Sequence, residues 1–378
     1  MISLARQSLI HEWRKFLPAV MAVGFSGLLL LVQAALVLGI FGSAAVYVTR
    51  SSADVWVGYP GTQSVNFGRS IGGDVAMRLH LDPGIAAVEP YVWVEGDWRG
   101  RDDTQGAASV FVSGINTSPG AMMFSQVLPD DLRLRLREPG AVIVDRADLE
   151  QLNAGVGGEA WINGRLVHVI GVVDGLRGLG GVNVLASLDS ARMLDTSNAS
   201  PGSATYFVAK LRDPAEIESV RVRIKPESAF GPFEVWSADE FASRSQRYWL
   251  FDTGAGVAVL FMAVIVFVVG AVITSQSLLA LVVASAREYA TLNALGVSFT
   301  SLARVLVEQS LWVGAIGLVI SALFGAALLW LAGHQGVPAD MNPVVAIACA
   351  VLVMGLAFVS GLVATRGLWR ADPAMLLR

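Results

Sequence analysis

The chain has 378 residues, of which 54% are hydrophobic and 15% charged, and its formal net charge is −4. The acidic balance gives no electrostatic footing for nucleic acid. The single cysteine, Cys349, excludes an intrachain disulfide and a multi-cysteine metal site.

Residues 1–16 come first. Ala5, Leu9, Trp13 and Phe16 recur at helical spacing, with Arg6, Arg14 and Lys15 elsewhere on the turn. This reads as a short helix lying in the cytoplasmic interface, or as an extension of the first span. No charged residue then occurs from Leu17 to Thr49. The run is far longer than the 7–15-residue apolar core of a signal peptide, so an uncleaved span is expected. Three more uncharged runs follow: Thr253–Ala286, Gln309–Gly333 and Met341–Thr365. Each exceeds the roughly 20 residues a helix needs to cross about 30 Å of hydrocarbon. A lone span must satisfy its own backbone hydrogen bonds in lipid, so each run is read as a helix. The fold class is therefore membrane α-helical with four transmembrane helices (1+3). A large mixed α/β extracytoplasmic domain stands between the first and second helices.

The expected organisation is as follows. An interfacial helix (1–16) and transmembrane helix 1 (17–49) lead into an outer domain (50–252). Transmembrane helix 2 (253–286), a cytoplasmic loop (287–308) and transmembrane helix 3 (309–333) come next. A short outer turn (334–342), transmembrane helix 4 (343–365) and a cytoplasmic tail (366–378) complete the chain. Orientation follows Lys/Arg counts in short segments. Arg6, Arg14 and Lys15 precede the first span, Arg287 and Arg304 follow the second, and Arg366, Arg370 and Arg378 occupy the tail. The turn from His334 to Asp340 has no Lys or Arg. Both termini should face the cytoplasm. If helical throughout, Leu17–Thr49 would extend about 50 Å at about 1.5 Å per residue, long enough to leave the membrane as a stalk. Asp239–Leu250 reads as a helix leading into span two. Small residues such as Gly314, Gly317, Ala271 and Ser275 would permit close packing of spans.

The outer block, Arg50 to Asp252, holds 19 Lys/Arg against 26 Asp/Glu, a net charge of −7. Ala53–Gly58, Ala86–Val94, Ser109–Gly114 and Thr205–Leu211 read as strands. Glu159–Ile162 and Leu166–Val173 flank Asn163-Gly164, a type I′ hairpin signal. Asp213 and Pro214 mark a helix start running to Ile224. This alternation argues for a two-layer α/β domain. Candidate chemistry is sparse. Asp102-Asp103 and Asp130-Asp131 read as solvated loop carboxylates. His80 and His168 are isolated. Gly178-Leu-Gly-Gly181 lacks the strand-to-helix context of a nucleotide fingerprint. Ser109, Ser113 and Ser125 lack an accompanying His/Asp signature. The three lysines, Lys15, Lys210 and Lys225, none of them after glycine, leave no phosphate-binding loop. The chain is thus expected to be non-catalytic, with no cofactor of its own. All four spans lack Asp, Glu, Lys, Arg and His, which disfavours ion-coupled transport.

The loop after span two reads Arg287-Glu288-Tyr-Ala-Thr-Leu-Asn-Ala-Leu-Gly296. Tyr289, Leu292 and Leu295 have helical spacing, ending at a glycine able to adopt the left-handed conformation. Ser298 can cap the next helix. Arg304 and Glu308 stand one turn apart on it. An interfacial hairpin and a coupling element for a cytoplasmic subunit both fit this pattern.

This stretch and the 1+3 topology resemble the permeases of the FtsX/MacB superfamily, the type VII ABC transporters. Three segments resemble its DevC-like exporter branch. They are Glu288-Tyr-Ala-Thr-Leu292, Trp56-Val-Gly-Tyr-Pro60 with Ser64-Val-Asn-Phe-Gly-Arg-Ser70, and Ala371-Asp-Pro-Ala374. The middle of the outer domain, roughly 100–235, carries no motif matched to that family. The resemblance implies a homodimer with a separate cytoplasmic ABC ATPase, which binds ATP and Mg. It implies that Arg287, Glu288, Tyr289, Leu292, Leu295, Gly296 and Glu308 couple to that ATPase. It further implies mechanotransmission driving efflux, with a periplasmic adaptor of the membrane-fusion type and a TolC-like outer-membrane protein, from a bacterial inner membrane. Two other functions remain open on the sequence. One is an FtsX-like transducer regulating a periplasmic hydrolase. The other is extraction of haem or another lipophilic substrate from the outer leaflet.

Overall fold

The computed structural model describes residues 11–101, 106–197, 200–226, 231–285, 288, 291–292, 295–335 and 337–370. The principal elements are α1 (Trp13–Gly42), β1 (Val55–Gly58), α2 (Asp74–Leu81), β2 (Ile85–Gly100), β3 (Ala108–Ile115), β4 (Ala141–Asp145), β5 (Glu159–Ile162), β6 (Arg165–Val173), β7 (Val182–Ser187), β8 (Tyr206–Leu211), α3 (Ile217–Ile224), β9 (Glu234–Ser237), α4 (Ala238–Arg247), α5 (Gly254–Ala284), α6 (Phe299–His334) and α7 (Pro343–Arg370). They divide into two units. Ile40–Gly256 forms the outer unit, and Met1–Gly39 with Val257–Arg378 forms the membrane unit.

In the outer unit, β1–α2–β2 and β8–α3–β9 make a split βαβ pair. Their strand order is β2-β8-β1-β9, with antiparallel neighbours throughout. This is the β-α-β-β-α-β arrangement of ferredoxin-like folds. The period of two along each strand builds both faces. Val55 and Val57 join Val75, Leu79, Val220 and Ile224 in the cluster under the helices. Trp56, between them, turns to the other face and packs with Tyr206, Trp236 and Phe241.

Between β2 and β8 the chain inserts a ring of strands, β2-β3-β7-β4-β6-β5 and back to β2. The long β2 serves both parts. Its residues Ile85–Tyr91 pair with β8, Val92–Trp98 with β3, and Trp98–Gly100 with β5. The domain is therefore mixed α/β, but richer than the two layers expected, because one strand changes partners midway. The β5–β6 hairpin turns on Asn163 (φ 49°) and Gly164 (φ 77°), as the Asn-Gly signal requires.

The chain enters this unit through a 3₁₀ turn, Ser43–Ala45, and a short helix, Val46–Thr49. Tyr47 is wholly buried, edge-on to Phe124 at 6.3 Å. A loop clasps the segment that follows: Ser52 N donates to Met122 O at 3.0 Å, and Gln126 N to Arg50 O at 3.4 Å. Phe124 holds this loop with a φ of 55°, rare for a bulky residue and over-determined here by full burial.

At the other connection the expected helix is present and leads to the second span, but α4 is not continuous with it. Tyr248–Asp252 forms a π-helical turn, and Thr253 is extended (φ −102°, ψ 145°). Thr253 then starts α5 as a cap, its hydroxyl accepting from Gly256 N at 3.1 Å. Two helices with separate caps replace the single long one, because the threonine hydroxyl satisfies an N-terminal amide that a continuous helix would bond internally.

Among the described residues, four helical segments are long and apolar enough to cross a bilayer: Trp13–Thr49, Gly254–Ala284, Thr300–His334 and Pro343–Val363. Small residues bring α1 and α6 together. Ser321 Oγ donates to Gly24 O at 2.7 Å, and a Cβ on Gly317 would lie 2.9 Å from Val23 Cγ1. Likewise α6 meets α7 where a Cβ on Gly314 would lie 2.9 Å from Ala357 Cβ. The hydroxyls of Ser275 on α5 and Ser360 on α7 bond at 2.8 Å. Three of the four small residues singled out in the sequence, Gly314, Gly317 and Ser275, thus sit at helix contacts, as expected where lipid offers no hydrophobic drive for association. By contrast, α5 exposes Phe261, Met262, Val264 and Val268.

Candidate coupling site

The segment joining α5 to α6 is built by its caps. Val297 N donates to Leu292 O at 3.1 Å, and Gly296 has a φ of 95°. A bond from the second residue past the helix to the last turn, across a left-handed glycine, is a Schellman stop. Its hydrophobic partners are present, since Leu292 and Val297 both pack on Val282, Leu302 and Leu306. Ser298 then caps α6, accepting from Ser301 N. A β-branched residue at 296 would strain the left-handed position by about 1–2 kcal/mol.

The structure separates the residues that the sequence grouped. Glu288 bonds Lys15 at 2.6 Å, and Lys15 also reaches Glu12 at 3.1 Å. The loop is thereby tied at Glu288 to the start of α1, a contact invisible in the sequence because the partners are 273 residues apart. The pair is exposed, so its weight is positional rather than a matter of stability. Leu292 is half-buried in the apolar cluster, whereas Leu295 is 78% exposed. These two therefore do not share one outward face. Glu308 is half-buried on α6, beside the buried Gln309 and Ser310. Arg287 and Tyr289 lie outside the described residues.

The outer-unit candidates resolve into structural roles. Asp130 accepts from Gly120 N at 3.1 Å at the start of a short helix. His168 stands 3.6 Å from Glu138. Ser113 is buried in a chain of hydrogen bonds, with Tyr91 at 2.8 Å and Asn183 at 2.7 Å. The glycine run closes on itself through a Gly178–Gly181 bridge, and Leu179 O accepts from Asn66 Nδ2 at 2.9 Å. Asp102 and Asp103 lie outside the described residues.

The sequence reading missed Asp148. It is fully buried, and its charged partner is Arg177, whose Nε lies 3.3 Å from Oδ1. Desolvation raises its carboxyl from 3.8 to about 6, against the pull of Arg177 and with the push of Asp145. The folded state therefore holds this proton where the unfolded state releases it. Its contribution is complete below pH 3.8 and is lost as pH rises through 6. Over that window Asp148 should remove up to about 3 kcal/mol of outer-unit stability. In urea titrations at pH 4.5 and 7.5, Asp148→Asn should flatten that fall relative to the unsubstituted protein. An unchanged pH slope would refute the assignment.

Four apolar helices, joined by a capped loop and carrying an α/β unit between the first and second, define a multi-pass membrane permease. The chain belongs to the FtsX/MacB superfamily of type VII ABC systems. The MacB-like periplasmic core domain matches residues 21–227, and the C-terminal region of the FtsX-like permeases matches residues 260–373. Among solved structures, the periplasmic region of MacB from Actinobacillus actinomycetemcomitans is 15% identical, covering 50% of this chain and 90% of that one, with a TM-score of 0.36. The extracellular domain of the noncanonic ABC-type transporter YknZ from Gram-positive bacteria is 16% identical, covering 49% and 100%, with a TM-score of 0.34. A domain of a putative permease protein from Porphyromonas gingivalis is 12% identical, covering 49% and 88%, with a TM-score of 0.31. No curated protein matches the chain.

Proposed function

We propose that this chain is the non-catalytic permease subunit of an ABC exporter of the DevC-like branch, acting as a homodimer with a separate cytoplasmic ATPase. ATP and Mg bind in that partner. The cytoplasmic loop between α5 and α6 receives the ATPase, and its motion passes to α1 and on to the outer unit by mechanotransmission. The complex drives efflux with a periplasmic adaptor and a TolC-like outer-membrane protein, from an inner membrane with both termini in the cytoplasm.

The observation that carries this reading is the Glu288–Lys15 pair. It links the loop expected to meet the ATPase directly to the helix that continues toward the outer unit. The Schellman stop and the half-buried Leu292 make the loop a defined protrusion rather than a slack connection. Leu295, exposed beside Gly296, is the apolar group free to enter a partner.

The test is co-purification of the cognate ATPase with Glu288→Lys, Lys15→Glu and Leu295→Asp, alongside hydrolysis and export assays. Each variant should insert into the membrane normally, because none alters the apolar core of a span. Leu295→Asp should lower ATPase yield. The two charge reversals should uncouple hydrolysis from export. The swapped pair, Lys15→Glu with Glu288→Lys, should recover coupling if Glu288 acts through Lys15. Normal yield and normal export in all the single variants would refute the coupling role.

A further inference from the structure

Hydroxyls within the spans find partners inside the chain. Ser275 bonds Ser360 at 2.8 Å, Ser310 bonds Val307 O at 2.8 Å, and Ser321 bonds Gly24 O at 2.7 Å. Gln276 on α5 differs. Its side chain is exposed and makes no hydrogen bond among the described residues. It also points away from the other helices. At about 100° per residue it stands about 200° around α5 from Thr274. Thr274 is buried, as are Leu278 and Leu281 on the same inner face. The outer face around Gln276 is apolar and exposed, with Ile265, Val268, Val272, Leu279 and Val283. In the most apolar stretch of the second span only 11% is buried by the rest of the chain. The figures for the first, third and fourth spans are 33%, 17% and 22%.

The depth of this amide is set by α7, not by the long α5. Ser275, its neighbour, is level with Ser360 through their hydrogen bond. The uncharged run around Ser360, Met341–Thr365, is only a few residues longer than the roughly 20 needed to cross. With either end of that run set at the edge of the hydrocarbon, Ser360 remains inside it. Gln276 is at the same level to within about 1.5 Å. Acyl chains offer an amide neither donor nor acceptor, so its partner is another polar group in the membrane. Symmetry says which one. All copies cross the bilayer in the same sense, so a two-fold axis relating two of them runs along the membrane normal. A residue on the contact helix then faces its own counterpart at the same depth. A charged side chain cannot be its own partner. An amide, which both donates and accepts, can.

We infer that the outer face of α5 is the contact between two copies of this chain in the membrane, with the two Gln276 amides hydrogen-bonded to each other across the axis. Val272 and Leu279, one turn to either side, pack on their counterparts and shield that bond. The inference rests on the homodimer of the proposed function, and names the surface and the residue that hold it together.

The experiment uses the full chain carrying Cys349→Ser, co-produced with its ATPase and studied in native membranes. Single cysteines are introduced as Val272→Cys, Leu279→Cys and Val351→Cys, and disulfide-linked dimers are counted after mild oxidation. Val351, 65% exposed on α7, is the lipid-facing reference. Native mass spectrometry of each solubilised sample gives the number of copies independently. Cross-linking at 272 and 279 should exceed that at 351 several-fold. Adding Gln276→Leu, which leaves the span more apolar and so still able to insert, should lower it several-fold. Gln276→Asn, which keeps the amide, should preserve it. A dimer by mass with no more cross-linking at 272 and 279 than at 351 overturns the inference and leaves the homodimer standing. Cross-linking unchanged by Gln276→Leu overturns the amide pairing. A single copy by mass overturns the inference and the homodimer together.

Discussion

Arg133→Met is expected to destabilise the outer unit by a few kcal/mol, since each buried carbonyl left without its donor costs about 1–3 kcal/mol. Arg133 is only 1% exposed. Its guanidinium donates to Asn116 O at 3.0 Å and Met123 O at 2.7 Å. It thereby ties the start of the loop that clasps the chain entering the unit to the loop's centre. Glu89 accepts from Met122 N at 3.0 and 3.2 Å through its two oxygens. Burial pushes the Glu89 carboxyl up, and the backbone amide and the positive Arg133 pull it back. Methionine fills much of the same volume but leaves two carbonyls unsatisfied and one buried carboxylate without its counter-charge. Urea unfolding of the full chain, followed by tryptophan fluorescence, measures the loss. Adding Glu89→Gln should restore part of it, since the uncompensated charge is then gone. Equal midpoints for the single and double variants would show that the charge balance is irrelevant and only the carbonyl contacts count.

Gly317→Leu should have the largest effect within the membrane unit. A Cβ there would meet Val23 Cγ1 at 2.9 Å and the backbone nitrogen of Gly24 at 3.1 Å. A backbone atom does not swing aside, so α1 and α6 must separate. That separation breaks the bond from Ser321 Oγ to Gly24 O. Overpacking of this kind typically costs about 1–3 kcal/mol. Gly355→Leu is the matched control: nothing lies within 4 Å of its added Cβ, and the side chain would face lipid. Denaturant titration of both variants in mixed micelles should show a clear loss for position 317 and almost none for 355. Equal losses would mean that glycine itself, rather than helix contact, sets stability at these sites.

The sequence was legible wherever a local rule sufficed. Uncharged length marked the four spans, because the cost of charge in hydrocarbon leaves few exceptions. Asn163-Gly164 announced its hairpin, since few other dipeptides accept two left-handed positions. Gly296 and Ser298 announced a helix stop and start for the same stereochemical reasons. The strands β4 and β7 were harder to see. Val142–Val144 is a short apolar run and Val182–Leu185 one interrupted by Asn183; both are buried on both sides, and periodicity does not distinguish such segments from buried helix. The break at Thr253 was hidden too, because nothing in the residues before it forbids a continuous helix.

The sequence by itself therefore determined the class of protein, four membrane-crossing helices with one large mixed domain, and the loop in which coupling was to be sought. Those features depend on composition and on near-neighbour stereochemistry, which a chain carries in any conformation. Only the tertiary structure decided which partners meet. It paired Lys15 with Glu288, packed Leu292 into an apolar cluster while exposing Leu295, placed the buried Asp148 beside Arg177, and let β2 close a ring of strands. Each of those outcomes depends on distances between residues far apart in the chain, and on the dielectric that their packing creates. Both come into existence only when the chain folds.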